Sequence, residues 1–206
     1  KIVIMHNPVN FDIFYPMPRD ECARLLKKDP DKKYILFVGL LHKSKGVYDL
    51  IKVFKRVIKV YKDARLMIVG YGPERKHLTN LIKKNGLEKF VSLEGFIFSD
   101  TLRFYYNLAD VFILPSYSEG APNVIYEALA CNTPVIASNV GAIPKIIKGC
   151  GLLVTPGNTE QLYDAILQSL EGRVRIDCQR RTTIINQCSI KEIGRRLKEI
   201  IFEIVE

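Results

Sequence analysis

The sequence predicts a doubly wound α/β fold, in which helices cover both faces of a parallel β-sheet. Six short apolar segments recur along the 206 residues, and amphipathic helical patterns lie between them. These segments lack the polar–apolar alternation of a half-exposed strand, so we interpret them as strands buried on both faces. Repeated alternation of strand and helix is typical of a parallel sheet. The predicted strands are residues 34–38, 65–69, 90–94, 111–115, 134–138 and 151–155.

Three of the predicted helices carry clear sequence signals. In residues 47–61 the apolar side chains recur at intervals of three and four, which places them on one face. Residues 73–86 have Pro73 in a first-turn position and end on Asn-Gly, a typical helix stop. Residues 159–172 begin with Thr159 as the expected N-cap and end at a glycine.

The two ends of the chain differ from this pattern. Residues 1–18 contain one short apolar run followed by Asn, Pro and aromatic residues, so we interpret them as an interdomain linker with an entry strand. Residues 19–188 are predicted to form the domain itself. Residues 189–206 are predicted to form an amphipathic helix whose apolar face has no evident partner. That face comprises Ile190, Ile193, Leu197, Ile200, Ile201 and Ile204.

Composition excludes several classes of protein. The chain has 48% hydrophobic and 26% charged residues, which is ordinary for a globular domain. Its longest apolar runs are shorter than the roughly 20 residues of a membrane helix, and its start does not resemble a signal peptide. Because the five cysteines include no CxxC pair, we expect a cytoplasmic protein with reduced thiols and no structural metal site.

The net charge of +9 is compatible with an anionic partner. The lysines are interspersed along helical faces and are not interleaved with aromatic residues, which argues against nucleic acid. A phosphorylated small molecule and peripheral contact with anionic lipid are the alternatives to a simply solvated surface.

Ligands of doubly wound sheets bind beyond the carboxyl ends of the strands, and one loop there has a distinctive sequence. The loop at residues 118–123, SEGAPN, turns into a predicted helix through small residues and a proline. The first N–H groups of such a helix have no acceptor within it and attract anions such as phosphate. Glu119 in the loop and Glu127 in the helix are candidates to accept hydrogen bonds from sugar and ribose hydroxyls. The alternative is that both are ordinary solvated acids.

Two other loops at these strand ends give weaker signals. Lys45, with Lys43 as a second candidate, follows the first strand and could meet a diphosphate, although lysines in turns are usually solvated. The segment Gly-Tyr-Gly-Pro-Glu at residues 70–74 is not a dinucleotide fingerprint, because Arg75 occupies the position of the third small residue. We interpret its glycines as a tight turn.

Together these segments resemble the retaining glycosyltransferases of family four, the group 1 glycosyl transferases. In SEGAPNVIYEALACNTPVIAS, Glu119 and Glu127 are separated by seven residues, as in the two-glutamate signature of that family. FVGLLHKSKGVYDLIKVF, LMIVGYGPERKHL, VSLEGFIFSDTLRFYYNLADVFILPS and NVGAIPKIIKGCGLLVTPGNTEQLYDAI resemble further segments of the family in the same order. The resemblance covers roughly residues 34–172.

The resemblance implies a GT-B fold, in which two Rossmann-like domains face each other across a cleft. This chain resembles the C-terminal domain, which binds the nucleotide-sugar donor. An N-terminal domain of the same protein would hold most of the acceptor, which could be a glycan, a lipid or a small molecule. The donor would be a UDP- or GDP-linked sugar, with no cofactor and no metal. Residues 189–206 would cross back onto the N-terminal domain.

By position, the resemblance assigns roles to individual residues. Glu127 would bind the ribose hydroxyls and Glu119 the donor hexose, and Lys45 would stabilise the diphosphate leaving group. Glu119 and Lys45 are therefore the expected catalytic residues. The other expected donor contacts are Gly39, Lys43, Gly95, Phe96, Ile97, Gly120, Ala121, Pro122, Asn123 and Val124, of which residues 95–97 would contact the base.

Leu40 departs from the family pattern, which has an arginine five residues before the lysine. We expect a buried leucine there, which could not neutralise phosphate. Either Lys43 or another cation replaces it, or activity falls by about a hundredfold, the effect of losing about 3 kcal/mol of charge stabilisation. The alternative functions are a degenerate, non-catalytic module that binds a nucleotide or a protein partner, and a nucleotide-sugar epimerase, which the two-glutamate loop fits less well.

Overall fold

The computed structural model describes residues 7–174 and 176–205, with side chains up to residue 203. Six strands form its sheet, and every pairing between neighbouring strands is parallel. The predicted doubly wound parallel sheet is confirmed, and each predicted strand end lies within one residue of the observed one. The strands are β1 (Lys33–Val38), β2 (Ala64–Val69), β3 (Val91–Gly95), β4 (Val111–Leu114), β5 (Val135–Ser138) and β6 (Gly151–Val154).

Helices cover both faces of this sheet. A 3-10 turn, Lys43–Lys45, also precedes the second helix. The described α-helices are α1 (Arg19–Leu26), α2 (Val47–Val60), α3 (Arg75–Lys84), α4 (Ser99–Leu108), α5 (Asn123–Ala130), α6 (Ile143–Ile146), α7 (Thr159–Leu170), α8 (Cys178–Cys188) and α9 (Ile190–Val205).

The strand order is β3–β2–β1–β4–β5–β6, so the chain leaves β1 in one direction and returns to continue from β4 in the other. Right-handed crossovers then place α2 and α3 on one face of the sheet and α4 and α5 on the opposite face. Contacts agree with this division, since α2 packs on α7, whereas α1 packs on α4 and α5 on α8. The loops after β1 and β4 diverge at the point where the order reverses, which opens a crevice at the carboxyl ends of the strands.

One apolar core lies between the sheet and the two helix layers. Strands β4 and β5 are buried throughout, which explains why their sequences show no alternation. In α2 the buried side chains recur at intervals of three and four, as the predicted one-sided stripe requires. The largest fully buried side chains include Tyr106, Tyr126, Phe37, Phe54 and Phe112.

Two predicted helix starts were wrong by one or two residues. The N-cap of α7 is Asn158 and not Thr159, because the Asn158 side chain accepts a hydrogen bond from the Gln161 N–H at 3.0 Å. Helix α3 begins at Arg75, so Pro73 lies before the helix and not in its first turn.

The described part of the predicted linker lies against the domain. The Val9 N–H donates to the carbonyl of Cys188 at 2.9 Å, and the buried Phe14 ring meets Tyr106 edge-to-face at 5.9 Å. Residues 1–6 of the predicted linker lie outside the described residues.

Helix α9 keeps most of its apolar face exposed. Ile193 is buried against the domain, whereas Ile190, Leu197 and Ile201 are 54%, 45% and 57% exposed. Phe202 adds a further apolar side chain that is 67% exposed. Ile204, which was predicted on the same face, lies outside the described side chains.

Candidate functional site

A close approach of two loops brings Lys45 to the end of β4. Gly46 ends the 3-10 turn with φ +67°, and a Cβ atom there would lie 2.0 Å from the carbonyl oxygen of Pro115. Only glycine permits this contact. The Tyr117 N–H donates to the carbonyl of Ser44 at 2.8 Å, which joins the turn to the loop after β4.

Lys45, Glu119 and Ser116 form a compact polar cluster at this junction. The Lys45 Nζ lies 2.7 Å from Glu119 Oε1, and the buried Ser116 hydroxyl donates to the same oxygen at 2.7 Å. The Glu119 side chain is only 9% exposed, and that of Lys45 is 25% exposed. Such shielding from water makes charge-assisted bonds stronger than they are at an open surface.

Helix α5 begins directly beyond this cluster. Pro122 is its N-cap, and Asn123 is its first helical residue. The N–H groups of the first turn therefore have no acceptor within the helix. The loop before the helix is supported from the segment after β5, because the Ala142 N–H donates to the Gly120 carbonyl at 2.9 Å.

A cleft of about 340 Å³ lies between α5 and the carboxyl ends of β1, β2 and β3. Its walls are mostly apolar, and Glu127 is the acidic residue among them. The predicted donor contacts that line it are Gly39, Phe96, Ile97, Val124 and Glu127. Leu40, which departs from the family pattern, also lines it.

The glycines of residues 70–74 serve a close contact between loops and not only a tight turn. Gly70 has φ +137°, and a Cβ atom there would lie 1.9 Å from the carbonyl oxygen of Gly39. The loops after β1 and β2 therefore touch, which closes the floor of the cleft.

Three exposed aromatic rings lie at the mouth of the cleft. Phe96 meets Tyr71 edge-to-face at 6.2 Å and Phe98 at 5.0 Å, and the three side chains are 61–75% exposed. Leu40 is 47% exposed beside them. The expectation of a buried leucine was wrong, because the chain turns outward after Gly39 and directs Leu40 to the wall of the cleft.

Glu127 has a different environment from Glu119. Its Oε2 accepts a hydrogen bond from the hydroxyl of Tyr106 at 2.9 Å. Burial raises the pKa of Glu127, and the Tyr106 hydrogen bond partly opposes that rise. No lysine or arginine within the described residues forms an ion pair with Glu127.

The comparisons with known proteins agree with this arrangement. The family model described as glycosyl transferases group 1 matches residues 32–172. The chain belongs to the group 1 glycosyltransferases. A glycosyltransferase from Methanocaldococcus jannaschii, named as uncharacterized, is 34% identical over 168 residues, which are 79% of this chain and 43% of that protein.

Solved structures show the same fold for this glycosyltransferase chain. Sucrose-phosphate synthase from Thermosynechococcus elongatus matches with a TM-score of 0.86 at 26% identity, over 97% of this chain and 51% of that one. The C-terminal domain of a group 1 glycosyl transferase from Francisella tularensis matches with a TM-score of 0.70 at 30% identity, over 87% of this chain and 93% of that one. The fold is the C-terminal half of a GT-B fold, and the chain spans less than half the length of the curated relatives it matches.

Seven predicted site residues of the glycosyltransferase fall into two groups. Lys45 and Glu119 meet in the polar cluster, whereas Glu127 and the residues of the cleft wall surround the apolar space next to it. Lys43 lies on the same 3-10 turn as Lys45 but is exposed to solvent.

Two residues of the site carried no usable sequence signal. Ser116 follows a strand and Tyr106 lies in an amphipathic helix, where serine and tyrosine are unremarkable. Their hydroxyls are identified as parts of the site only by the carboxylates that they contact.

The described residues contain no group of three His, Cys, Asp or Glu side chains placed to hold a metal ion. Within the same part of the chain, every helix is too short or too polar to cross a membrane. All five cysteines are free thiols, and Cys178 alone is exposed.

Proposed function

We propose that this chain is the donor-binding domain of a retaining, metal-independent glycosyltransferase that uses a UDP- or GDP-linked sugar. The observation that carries the proposal is the pairing of Lys45 with Glu119 beside the N-terminus of α5, next to a cleft that contains Glu127. A nucleoside would occupy the cleft, with its base against Phe96 and Ile97 and its ribose at Glu127. The diphosphate would then lie at the start of α5, and the hexose at Glu119.

The proposed chemistry breaks the bond between the anomeric carbon and the diphosphate oxygen and forms a bond to the oxygen of an acceptor hydroxyl, whose proton passes to the leaving diphosphate. Negative charge grows on the leaving diphosphate as that bond breaks. The first-turn N–H groups of α5 and the ammonium of Lys45 would stabilise this charge without reorganisation. Lys45 has three N–H donors, so its bond to Glu119 leaves donors for a phosphate.

Leu40 is the residue that motivates the alternative of a degenerate, non-catalytic binding module. Its exposed side chain lies where the resemblance expects a cation, and Lys43 on the neighbouring turn is the candidate replacement. We expect Leu40→Arg in the complete protein to raise transfer if a cation is lacking. An unchanged rate in an already active protein would remove the degenerate alternative.

Thermal shift measurements test the donor-binding proposal. UDP or GDP is expected to raise the Tm of the chain, because a ligand that binds only the folded state stabilises it. Glu127→Ala should abolish the shift. The matched control is Glu94→Ala, since Glu94 is also a partly buried carboxylate but is bonded to Lys28 at 2.7 Å and is not part of the cleft wall. Absence of a shift with every common nucleoside diphosphate would contradict the proposal.

We propose further that α9 docks against an N-terminal domain that supplies most of the acceptor site. The exposed apolar side chains of α9 support this, together with the greater length of the matched relatives. The chain alone is then expected to transfer sugar poorly. Efficient transfer by this chain without another domain would contradict this part of the proposal.

A peripheral contact with anionic lipid is supported by the distribution of charge. Residues 47–90 contain eleven lysines and arginines but four aspartates and glutamates, so most of the net charge of +9 lies there. This segment includes α2 and α3, which share one face of the sheet. Exposed basic residues of this segment include Lys52, Lys55, Lys59, Lys62, Lys76, Lys83 and Lys84.

Sedimentation with vesicles tests the lipid contact. We expect co-sedimentation with vesicles that contain phosphatidylglycerol and not with pure phosphatidylcholine, and a loss of binding as salt is raised. The double variant Lys55→Glu/Lys59→Glu should bind more weakly. Equal sedimentation with both kinds of vesicle would contradict the contact.

A further inference from the structure

Tyr106 is a buried tyrosine that does not itself line the cleft. It lies on α4 at 0% exposure, and its hydroxyl donates to Glu127 Oε2 at 2.9 Å. Phenylalanine would fill the same space in the core, so the hydroxyl is the part of this side chain that packing does not explain. Its acceptor is the carboxylate that lines the cleft.

The surroundings of Tyr106 hold its ring in one place. The ring meets Phe14 edge-to-face at 5.9 Å and Phe112 at 5.6 Å. The hydroxyl of Thr133, itself buried, donates to the main-chain carbonyl of Tyr106 at 2.7 Å. A ring fixed in this way gives its hydroxyl a fixed position, and so restricts the carboxylate that accepts from it.

The groups around Glu127 are neutral at ordinary pH. The titratable groups that face it are Tyr106 from α4 and Cys131 at the end of α5. Burial raises the pKa of Tyr106 well above its usual range and that of Cys131 to about 12. Because burial also raises the pKa of Glu127, the Tyr106 hydroxyl is the interaction that favours its ionised form.

We propose that Tyr106 is a positioning residue for donor binding, whose hydroxyl holds the Glu127 carboxylate where it accepts hydrogen bonds from the ribose hydroxyls. A carboxylate has about four acceptor positions, so the bond from Tyr106 leaves others for the ligand. This inference rests on the proposed function of the cleft, and it adds a residue that does not itself touch the nucleotide.

The test compares ribonucleotides with nucleotides that lack the ribose hydroxyls. Calorimetry measures binding of UDP and GDP to the chain, and then of the 2′,3′-dideoxy form of whichever binds more tightly. The wild type is expected to prefer the ribonucleotide, and Tyr106→Phe should reduce that preference by about tenfold, the effect of one hydrogen bond to a charged group. Affinity for the dideoxy form should change less than twofold, because that ligand does not use Glu127.

Tyr105→Phe is the matched control. Tyr105 is the neighbouring residue on α4, is 6% exposed, and donates its hydroxyl to Glu94 Oε2 at 3.0 Å. The Tyr105→Phe variant loses the same kind of hydrogen bond, from a tyrosine hydroxyl to a carboxylate. It should therefore lose similar stability but keep the ribose preference. In a Glu127→Gln background, Tyr106→Phe should have no further effect on the preference, since the two residues act as one unit.

The experiment distinguishes failure of the proposed function from failure of the role proposed for Tyr106. If the wild type binds no nucleoside diphosphate, the proposed function fails and this inference with it. If the wild type prefers the ribonucleotide and Tyr106→Phe keeps the full preference, only the role of Tyr106 is overturned. Should Tyr106→Phe not fold, Phe14→Leu loosens the same ring, and an unchanged ribose preference in that variant would overturn the inference.

Discussion

Glu119 and Glu127 lie in one loop–helix segment, yet their carboxylates have different electrostatic surroundings. Glu119 accepts hydrogen bonds from the ammonium of Lys45 and the hydroxyl of Ser116, so its charge is compensated within the protein. Glu127 accepts from the neutral hydroxyl of Tyr106, and burial raises its pKa. The charge of one acid is therefore compensated by a neighbouring ammonium, whereas the other acid is buried without such a partner.

The difference between the partners of the two carboxylates indicates which acid folding alone can explain and which acid needs a ligand. A partly buried carboxylate without a compensating cation opposes folding, so stability does not explain its presence in the cleft wall. A ligand that donates hydrogen bonds to the carboxylate does explain it. The pairing of Glu119 with Lys45, in contrast, compensates both charges within the protein, so this carboxylate does not need a ligand to offset its burial.

The largest expected effect concerns nucleotide affinity. Glu127→Gln should weaken binding of UDP or GDP by about a hundredfold, because hydrogen bonds from ribose to a charged acceptor are lost, at a cost of about 3 kcal/mol. Glu119→Gln should weaken the same binding less than threefold, since the proposed partner of Glu119 is the hexose. Isothermal titration calorimetry with both variants measures the contrast. Equal losses in the two variants would contradict the assignment of ribose to one acid and hexose to the other.

The second largest expected effect is the loss of folding stability when Glu119 is changed. Glu119→Gln leaves the partly buried ammonium of Lys45 without its carboxylate, so the free energy of unfolding should fall by about 2 kcal/mol. For a chain of this size the Tm should fall by about 6 °C. Urea unfolding checks the first number and calorimetry the second. The double variant Lys45→Met/Glu119→Gln should recover part of the loss, because the uncompensated charge is then removed.

The third expected effect is a gain in folding stability when Glu127 is changed, and this gain depends on pH. Because burial raises the pKa of Glu127, the folded state resists its ionisation, and Glu127→Gln should raise the free energy of unfolding at pH 7. The gain should be about 1.4 kcal/mol for each pKa unit of the rise. It should vanish as the pH falls below the ordinary glutamate pKa of about 4.3, where the carboxyl is protonated in both states. Urea unfolding at pH 7 and pH 4 measures this, and a destabilised variant at pH 7 would contradict it.

The smallest effect concerns Ser116. Ser116→Ala removes one of the two donors to Glu119 Oε1 but leaves Lys45 in place, so the expected loss of stability is about 0.5 kcal/mol. Ser118→Ala, a change at an exposed position in the same loop, is the control and should lose less. A loss above that of Glu119→Gln would show that Ser116, and not Lys45, holds the carboxylate.

Much of the fold could be predicted from the sequence. Apolar runs without alternation identified the six strands to within a residue, because burial on both faces leaves a pattern within a few consecutive positions. The loop that leads into α5 was singled out from Glu119, Glu127 and the small residues between them. These are properties of continuous segments, which neighbouring residues determine.

Only the tertiary structure decided which side chains meet. Lys45 and Glu119 are 74 residues apart in sequence, and they touch because β1 and β4 are neighbours in the sheet and Gly46 lets their loops approach. Tyr106 reaches Glu127 from a different helix. The exposure of Leu40 likewise depends on how the loop after β1 turns. Contacts of this kind depend on strand order and loop packing, which no local pattern of residues contains, so the sequence by itself determined the scaffold and the acidic pair, and the fold decided how each acid is held.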